Sequence, residues 1–224
     1  MRVVFRFEKD GPTQYIAHLD LMRAMHRAIR RAGLPAKVSQ GFHPHIVMSF
    51  AQALGLGYLS RAEYMEITLP DGYDLSSALA VLNGALPSGL HATGVWALAE
   101  ESSTLMASVA AARWHVALQP EEGDQTAAFA ALLGRETVPV MKQGKKGETL
   151  TDIRPGLLAV EPAEDGVELL LSAGSVRNIR PETVVRAALE RDAAATFTRL
   201  ELYAERDGAL TPLSQICIGS DEDE

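Results

Sequence analysis

The chain has 224 residues, of which 47% are hydrophobic, so it is long and apolar enough to bury a core in one large domain or two small ones. Its formal net charge of -8 argues against generic polyanion binding, and its single cysteine, Cys217, excludes an internal disulfide. No apolar run reaches about 18 residues, and the chain opens on the strand-like RVVFRF rather than on a leader, so we expect a cytoplasmic protein without a membrane segment.

Charge is distributed unevenly along the sequence. Residues 1–50 carry a net charge of +5 and the remaining residues carry -13. The last six residues, GSDEDE, form a short acidic run that is typical of a solvated tail. One end of an acidic protein could therefore still face an anion.

The first half of the chain alternates between strand and helix patterns. RVVFRFEK has the period of a half-buried strand, and residues 18–32 have apolar positions at helical spacing before Gly33 and Pro35 end the helix. Further segments are predicted as strands around 36–40, 46–50 and 62–69, a helix at 74–86 and a strand at 89–100. Apart from one additional short strand between the two helices, the predicted order is β-α-β-β-α-β.

The second half repeats this order after a small-residue connector at 101–112. Predicted strands are RWHVALQ, TVPVMKQ, LLAVEP, VELLLSA and TFTRLELYAE, and predicted helices are DQTAAFAALLG and RPETVVRAALE. We therefore expect an α+β protein of two ferredoxin-like units with antiparallel sheets, at 1–106 and 107–213, followed by an acidic tail at 214–224. A single mixed α+β domain with a larger sheet is the alternative.

Four arginines share one face of the first predicted helix. Arg23, Arg27, Arg30 and Arg31 stand at i, i+4, i+7 and i+8, opposite the apolar stripe. Guanidinium groups suit phosphate, so this face could bind an RNA backbone or a nucleotide. An ordinary solvated face, with Asp20 paired to Arg23 at i+3, is equally consistent with the pattern.

Histidines cluster at the helix start and in the following segment, GFHPH. His18, Asp20, His43 and His45 have ligand types suited to zinc, but their spacing matches no specific metal motif, so we expect no metal site. General acid–base chemistry by a histidine is available near neutral pH. A loop shaped by Gly41 and Pro44 is the simplest interpretation.

Phe42 and the pair Asp152 and Arg154 each have two interpretations. Phe42 could anchor its loop in the core, or it could stack on an exposed RNA base. Asp152 and Arg154, in TDIRPG, could form a local ion pair or contribute to the same functional cleft.

The run from Tyr15 to Ile67 contains a combination of motifs. It has a His-Leu-Asp helix start, an arginine-rich helix, a Ser-x-Gly-Phe-x-Pro-His segment and a downstream Ser-x-x-Glu. The residues at these positions are His18, Leu19, Asp20, Arg23, Arg30, Arg31, Ser39, Gly41, Phe42, Pro44, His45, Ser60 and Glu63. This combination closely resembles the bacterial radical SAM-linked or radical SAM-associated proteins, and TDIRPG looks like that family's Asp-Ile-Arg-Pro element.

The resemblance implies an accessory role beside a radical SAM enzyme, with a connection to RNA. The chain lacks a Cys-x-x-x-Cys-x-x-Cys run, so a separate partner would hold the iron–sulfur cluster and S-adenosylmethionine, and we expect no cofactor in this chain.

The leading expectation is a recognition module without catalytic activity of its own that binds tRNA or rRNA. Its contact residues would be Arg23, Arg27, Arg30, Arg31, Ser39, Gly41, Phe42, His43 and His45, with Asp152 and Arg154. One alternative is an enzyme acting on RNA or a nucleotide, with His18, His43 or His45 as acid or base and Asp20 or Glu63 orienting it. The other alternative is an adaptor that binds protein only.

Overall fold

The computed structural model describes residues 1–98, 103–119, 125–144 and 147–217. The acidic run at 219–224 lies outside these ranges, as do Lys145 and Lys146. The chain divides into two compact units: one contains residues 1–109 and those from Glu201 onward, and the other contains Ala110–Leu200.

The elements follow one another along the chain as α-helices and β-strands, with a 3-10 turn at Gly11–Tyr15 and another at Arg154–Gly156. In order they are β1 (Arg2–Lys9), α1 (His18–Arg31), β2 (Met48–Phe50), β3 (Tyr58–Thr68), α2 (Leu75–Ala85), β4 (Leu90–Leu98), α3 (Leu105–Ser108), β5 (Val109–Leu118), α4 (Thr126–Leu133), β6 (Pro139–Gly144), β7 (Gly147–Asp152), β8 (Leu157–Ala163), β9 (Gly166–Ser172), α5 (Pro181–Leu189), β10 (Ala195–Arg206), β11 (Ala209–Pro212) and α6 (Leu213–Cys217).

In the first unit the sheet has the order β4-β1-β3-β10, and β2 also pairs with β3. Strand β1 pairs antiparallel with β3 on one side and with β4 on the other, and β2 pairs antiparallel with β3. One face of β1 presents Val3, Phe5 and Phe7, which form a buried cluster with residues of α1 and α2. The sheet thus carries both helices on the same apolar face, as the predicted β-α-β-β-α-β order requires.

Helix α1 forms because its buried positions recur at helical spacing. Leu21, Met25, Ala28 and Ile29 are buried against the sheet. Arg30 and Arg31 lie in the last turn, where they complement the negative end of the helix dipole. Gly33 adopts a φ of 67°, a left-handed conformation that glycine reaches without strain, and the helix ends there.

In the second unit the sheet has the order β10-β5-β9-β8, and β6 pairs with β7 in a separate hairpin. Strands β5 and β9 pair antiparallel, as do β8 and β9. Helices α4 and α5 pack against each other and bury Phe129, Leu132, Val184 and Val185. The unit has the same order of elements as the first, with the β6–β7 hairpin inserted after α4.

The predicted α+β class with antiparallel sheets is confirmed. One predicted strand, at 36–40, is absent: the structure has only an isolated bridge between Val38 and Ile46 there. The short hairpin strands β7 and β11 were not predicted, because β7 is exposed along most of its length and β11 has only four residues. Among the described residues, no helix is both long and apolar enough to cross a membrane.

Candidate functional site

The outward side of α1 lines a pocket of about 340 Å³. Its lining residues recur at i, i+3, i+4, i+7, i+8 and i+11, which places them in one stripe along the helix. We call this stripe the α1 surface; it consists of Leu19, Met22, Arg23, His26, Arg27 and Arg30. Two apolar side chains occupy its N-terminal end and arginines its C-terminal end, so the surface has an apolar and a cationic part.

The arginines of α1 differ in their partners. Arg23 donates to the carboxylate of Asp20 at 2.9 Å, but both side chains are exposed, so the pair is worth at most about 0.5 kcal/mol. Arg31 donates to the carbonyl of Ala85 at 2.6 Å, at the C-terminal end of α2. Within the described part of the chain, the guanidinium groups of Arg27 and Arg30 have no hydrogen-bond or ion-pair partner.

The segment from Ser39 to His45, which we call the motif loop, is closed by hydrogen bonds between its two ends. The backbone N–H of Ser39 donates to the carbonyl of His45 at 2.8 Å, and the backbone N–H of His45 donates to Ser39 Oγ at 3.2 Å. Ser39 Oγ also lies 2.8 Å from His45 Nδ1. The first and last residues of the Ser-x-Gly-Phe-x-Pro-His motif therefore hold the loop together.

The base of the motif loop is fixed to the sheet. Val47 donates its backbone N–H to the carbonyl of Lys37 at 2.8 Å, and Lys37 donates to the carbonyl of Thr68, the last residue of β3, at 2.9 Å. Gly41 has a φ of 133°, which favours glycine at this position. The ring of Phe42, next to it, is fully exposed at 102%. Phe42 therefore does not anchor the loop in the core.

The motif loop meets the α1 surface through two histidines. The rings of His45 and His26 are stacked, with centroids 6.5 Å apart and an interplanar angle of 12°. Partial burial, the neighbouring His45 and the charge of Arg30 lower the pKa of His26 below its ordinary value. His26 was not among the predicted site residues, although its spacing from Arg23 and Arg30 places it on the same face of the helix.

A second group of motif residues lies inside the first unit. Glu63 is 1% exposed and pairs in register with Phe7, and Ser60 is also buried on β3. The ring of Phe50 contacts both Phe7 and His18, at 5.9 and 5.3 Å between centroids. Ser60, Glu63 and His18 therefore belong to the packed side of the sheet and the start of α1, rather than to the motif loop.

Lys9 fixes the segment that leads into α1. Its side chain is 1% exposed, and its Nζ lies 3.1–3.5 Å from the carbonyl oxygens of Gln14, Ile16, Gly55 and Tyr58. Because one ammonium group contacts two separate backbone segments, it holds the approach to α1 against the turn before β3. The buried Lys9 thereby fixes the position of the N-terminal end of the α1 surface.

The four side chains considered for a metal are not assembled into a common site. Asp20 is bonded to Arg23, His18 packs against Phe50, and His45 stacks on His26, which lies two turns of helix, about 12 Å, beyond His18. His43 contributes its backbone carbonyl, 3.3 Å from His45 Nδ1. Over the described ranges, no three His, Cys, Asp or Glu side chains are grouped so that they could hold a metal ion.

Asp152 and Arg154 belong to the second unit, where both bond to backbone. Asp152 accepts from the N–H groups of Val138 and Arg154 at 2.7 and 3.0 Å, and these hydrogen bonds lower the pKa of its carboxyl. The Arg154 guanidinium donates to the carbonyls of Leu133 and Leu157 at 2.7–3.1 Å. Asp152 thus bonds to the backbone of Arg154, and Arg154 caps the C-terminal end of α4.

The fold and this surface define an α+β protein with an exposed, partly cationic helix face beside a closed loop. A family model described as "Uncharacterized protein conserved in bacteria (DUF2344)" matches residues 2–181. The chain therefore belongs to this bacterial family. No curated protein matches the chain.

Proposed function

We propose that this chain is an accessory recognition module that binds RNA, either tRNA or rRNA, through the α1 surface and the motif loop. In this proposal it works with a separate radical SAM enzyme. The observation that carries the RNA part is the pair Arg27 and Arg30, two exposed arginines without an acidic partner among the described residues. Placed three residues apart on one helix face, they could contact neighbouring phosphates.

The surrounding residues support an anionic ligand. The Asp20 pair on Arg23 is weak enough for a phosphate to compete with it. The pKa of His26 is lowered by partial burial, then by His45 and by the positive charge of Arg30, and only this last cause bears on an anionic ligand, because it shows that Arg30 acts at this part of the α1 surface. Since residues 1–50 carry +5 in a chain of net charge -8, binding would be confined to this part of the protein.

The radical SAM part of the proposal depends on the motifs between Tyr15 and Ile67 and on the single cysteine of the chain. A protein with one cysteine cannot supply the thiolates of the cluster, so that chemistry would belong to the partner. The contribution of this chain would be to bind the RNA and present it.

The RNA part is tested by measuring affinity for tRNA and for a short single-stranded RNA between roughly 50 and 200 mM salt. If three arginines each neutralise one phosphate, log affinity should fall with log salt with a slope of about -2 for single strands. For the variant Arg27→Gln/Arg30→Gln the slope should be shallower by about 1.4, because two of the three phosphate contacts are removed. Absence of binding by the wild type, or an unchanged slope in the variant, would overturn the RNA proposal.

A matched control is available at α5, from Arg180, which immediately precedes the helix, and Arg186 within it. Arg180 and Arg186 are exposed and paired with Glu182 and Asp192, and Arg180→Gln/Arg186→Gln removes the same total charge. This variant should bind RNA as the wild type does if the α1 surface is the site. The partner is tested separately, by co-purification with a radical SAM enzyme from the same bacterium; conversion of RNA by the purified chain alone would contradict an accessory role.

A further inference from the structure

The motif loop presents an aromatic ring to solvent on a backbone that is held in place. Three hydrogen bonds join Ser39 to His45, and the loop base is bonded to the end of β3. Phe42 occupies the middle of this closed segment with its ring fully exposed. Transfer of a phenylalanine ring out of water is favourable, so exposing the ring costs free energy. A closed loop that keeps the ring exposed therefore suggests a binding role.

The position of the loop indicates which ligand the ring would meet. His45 stacks on His26, and His26 belongs to the same stripe as Arg27 and Arg30. An aromatic face therefore lies on a loop that contacts the surface of Arg27 and Arg30, two cations without a hydrogen-bond or ion-pair partner among the described residues. Proteins that bind single-stranded nucleic acid combine these two features, because the cations follow the backbone while aromatic rings stack on bases.

We infer that Phe42 is a stacking surface for an unpaired base, so that the substrate class is single-stranded or loop RNA rather than duplex RNA. The inference rests on the proposed RNA-binding function and specifies its substrate. In a duplex the faces of the bases are covered by their neighbours, and Phe42 would have no base to stack on. A hydrophobic pocket of a partner protein could also receive Phe42, but it would not account for the two arginines.

The test compares a short labelled single-stranded RNA with the perfect duplex of the same sequence at one salt concentration. Phe42→Ala should weaken binding of the single strand by roughly 5- to 100-fold and should change duplex binding by less than about 2-fold. Phe42→Trp should keep the affinity, and the fluorescence of the new tryptophan should be quenched by the single strand. Val176→Ala, which shortens a side chain that is 101% exposed in the second unit, is the control and should bind as the wild type does.

The outcomes separate this inference from the proposed function. If Arg27→Gln/Arg30→Gln weakens RNA binding while Phe42→Ala does not, RNA binding stands and the stacking role is wrong. If Phe42→Ala no longer binds a partner protein but binds the single-stranded RNA as tightly as the wild type does, the inference is also overturned. If the wild type binds neither RNA, both proposals fail. An unchanged urea midpoint in Phe42→Ala is expected, because the ring buries no surface in the chain.

Discussion

His26 is the titratable side chain that reports the charge of the α1 surface. Its pKa is lowered first by burial, then by His45 and by Arg30. All three causes oppose protonation of the ring. A bound phosphate would act in the opposite direction, because a negative charge favours the protonated form.

We therefore expect nuclear magnetic resonance titration to place the pKa of His26 below the ordinary 6.5 in the free protein. Arg30→Gln should raise it, since a neighbouring positive charge is removed, and Arg186→Gln should leave it unchanged. Bound RNA should raise it as well. A pKa at or above 6.5 in the free protein, or no response to Arg30→Gln, would contradict this account of the α1 surface.

The lowered pKa also determines how the contribution of His26 to the free energy of unfolding changes with pH. Its pKa is lower in the folded state than in the unfolded chain, so the unfolded chain takes up the proton first as the pH falls. The stabilising contribution of His26 is fully present when the pH is above its pKa in the unfolded chain, near 6.5. It is lost as the pH falls from there through the pKa in the folded protein. RNA binding should depend on pH in the opposite way, so the affinity should rise as the pH falls over that range.

Arg30 and Arg154 illustrate what residue type alone leaves open. Both are arginines in motifs of the sequence, but Arg154 directs its N–H groups to the carbonyls of Leu133 and Leu157. Arg30 has no hydrogen-bond or ion-pair partner for its guanidinium among the described residues. The difference depends on which backbone groups the fold brings near each side chain, and sequence spacing does not contain that information.

At the level of elements, helix α1 was predictable because one residue pattern determines both of its faces. Buried Leu21, Met25 and Ile29 and the exposed arginines follow from a period of 3.6 residues. The partner of Arg31 was not predictable, because Ala85 lies 54 residues away along the chain. The same limit applies to the stacking of His26 on His45, which requires the motif loop to turn back towards α1.

The conformation of the motif loop could be predicted only in part from sequence patterns. Residues 36–40 alternate like a strand, but only Val38 forms a bridge, because the chain turns at Gly41 and closes through Ser39 and His45. Glycine and proline predicted a shaped loop. They did not predict that Phe42 would be exposed rather than buried.

The closure of the loop makes a prediction for Ser39. Ser39→Ala removes the hydroxyl that lies 2.8 Å from His45 Nδ1 and accepts the His45 N–H. We expect faster amide hydrogen exchange within the motif loop and a few-fold weaker binding of single-stranded RNA, because the ring of Phe42 is no longer held in place. The cost in the free energy of unfolding should be only about 1 kcal/mol.

Ser39→Thr is the matched control for this prediction. Threonine keeps the hydroxyl, so exchange rates and affinity should remain near those of the wild type. If Ser39→Ala and Ser39→Thr behave alike, the hydroxyl does not determine the conformation of the loop. Equal exchange in Ser39→Ala and the wild type would lead to the same conclusion.

At the scale of the whole molecule, one strand supplies residues to both compact units. Residues 195–200 of β10 belong to the second unit and residues 201–206 to the first. Sequence patterns placed a boundary after residue 106 because the connector there is rich in small residues. They contain no information that the end of the chain groups with its beginning.

Within the first unit, the buried hydroxyl of Tyr64 has its hydrogen-bond partner in the C-terminal part of the chain. Tyr64 is 1% exposed, and its hydroxyl donates to Glu201 Oε1 at 2.6 Å. Arg6 lies 3.6 Å from the other carboxylate oxygen of Glu201. Burial, followed by the charge of Glu201, raises the pKa of Tyr64, which keeps the phenol neutral as a donor.

We expect a fragment of residues 1–109 to lack a cooperative urea transition, because Tyr64 and Arg6 lose Glu201 and β3 loses β10 as a neighbour. A chain in which 110–200 is replaced by a flexible linker of about ten residues keeps Glu201 and the residues after it, and it should unfold cooperatively. Circular dichroism and tryptophan fluorescence can follow both, since Trp96 lies in β4. Cooperative unfolding of the 1–109 fragment at the same midpoint as the linked chain would show that the first unit does not need its C-terminal residues.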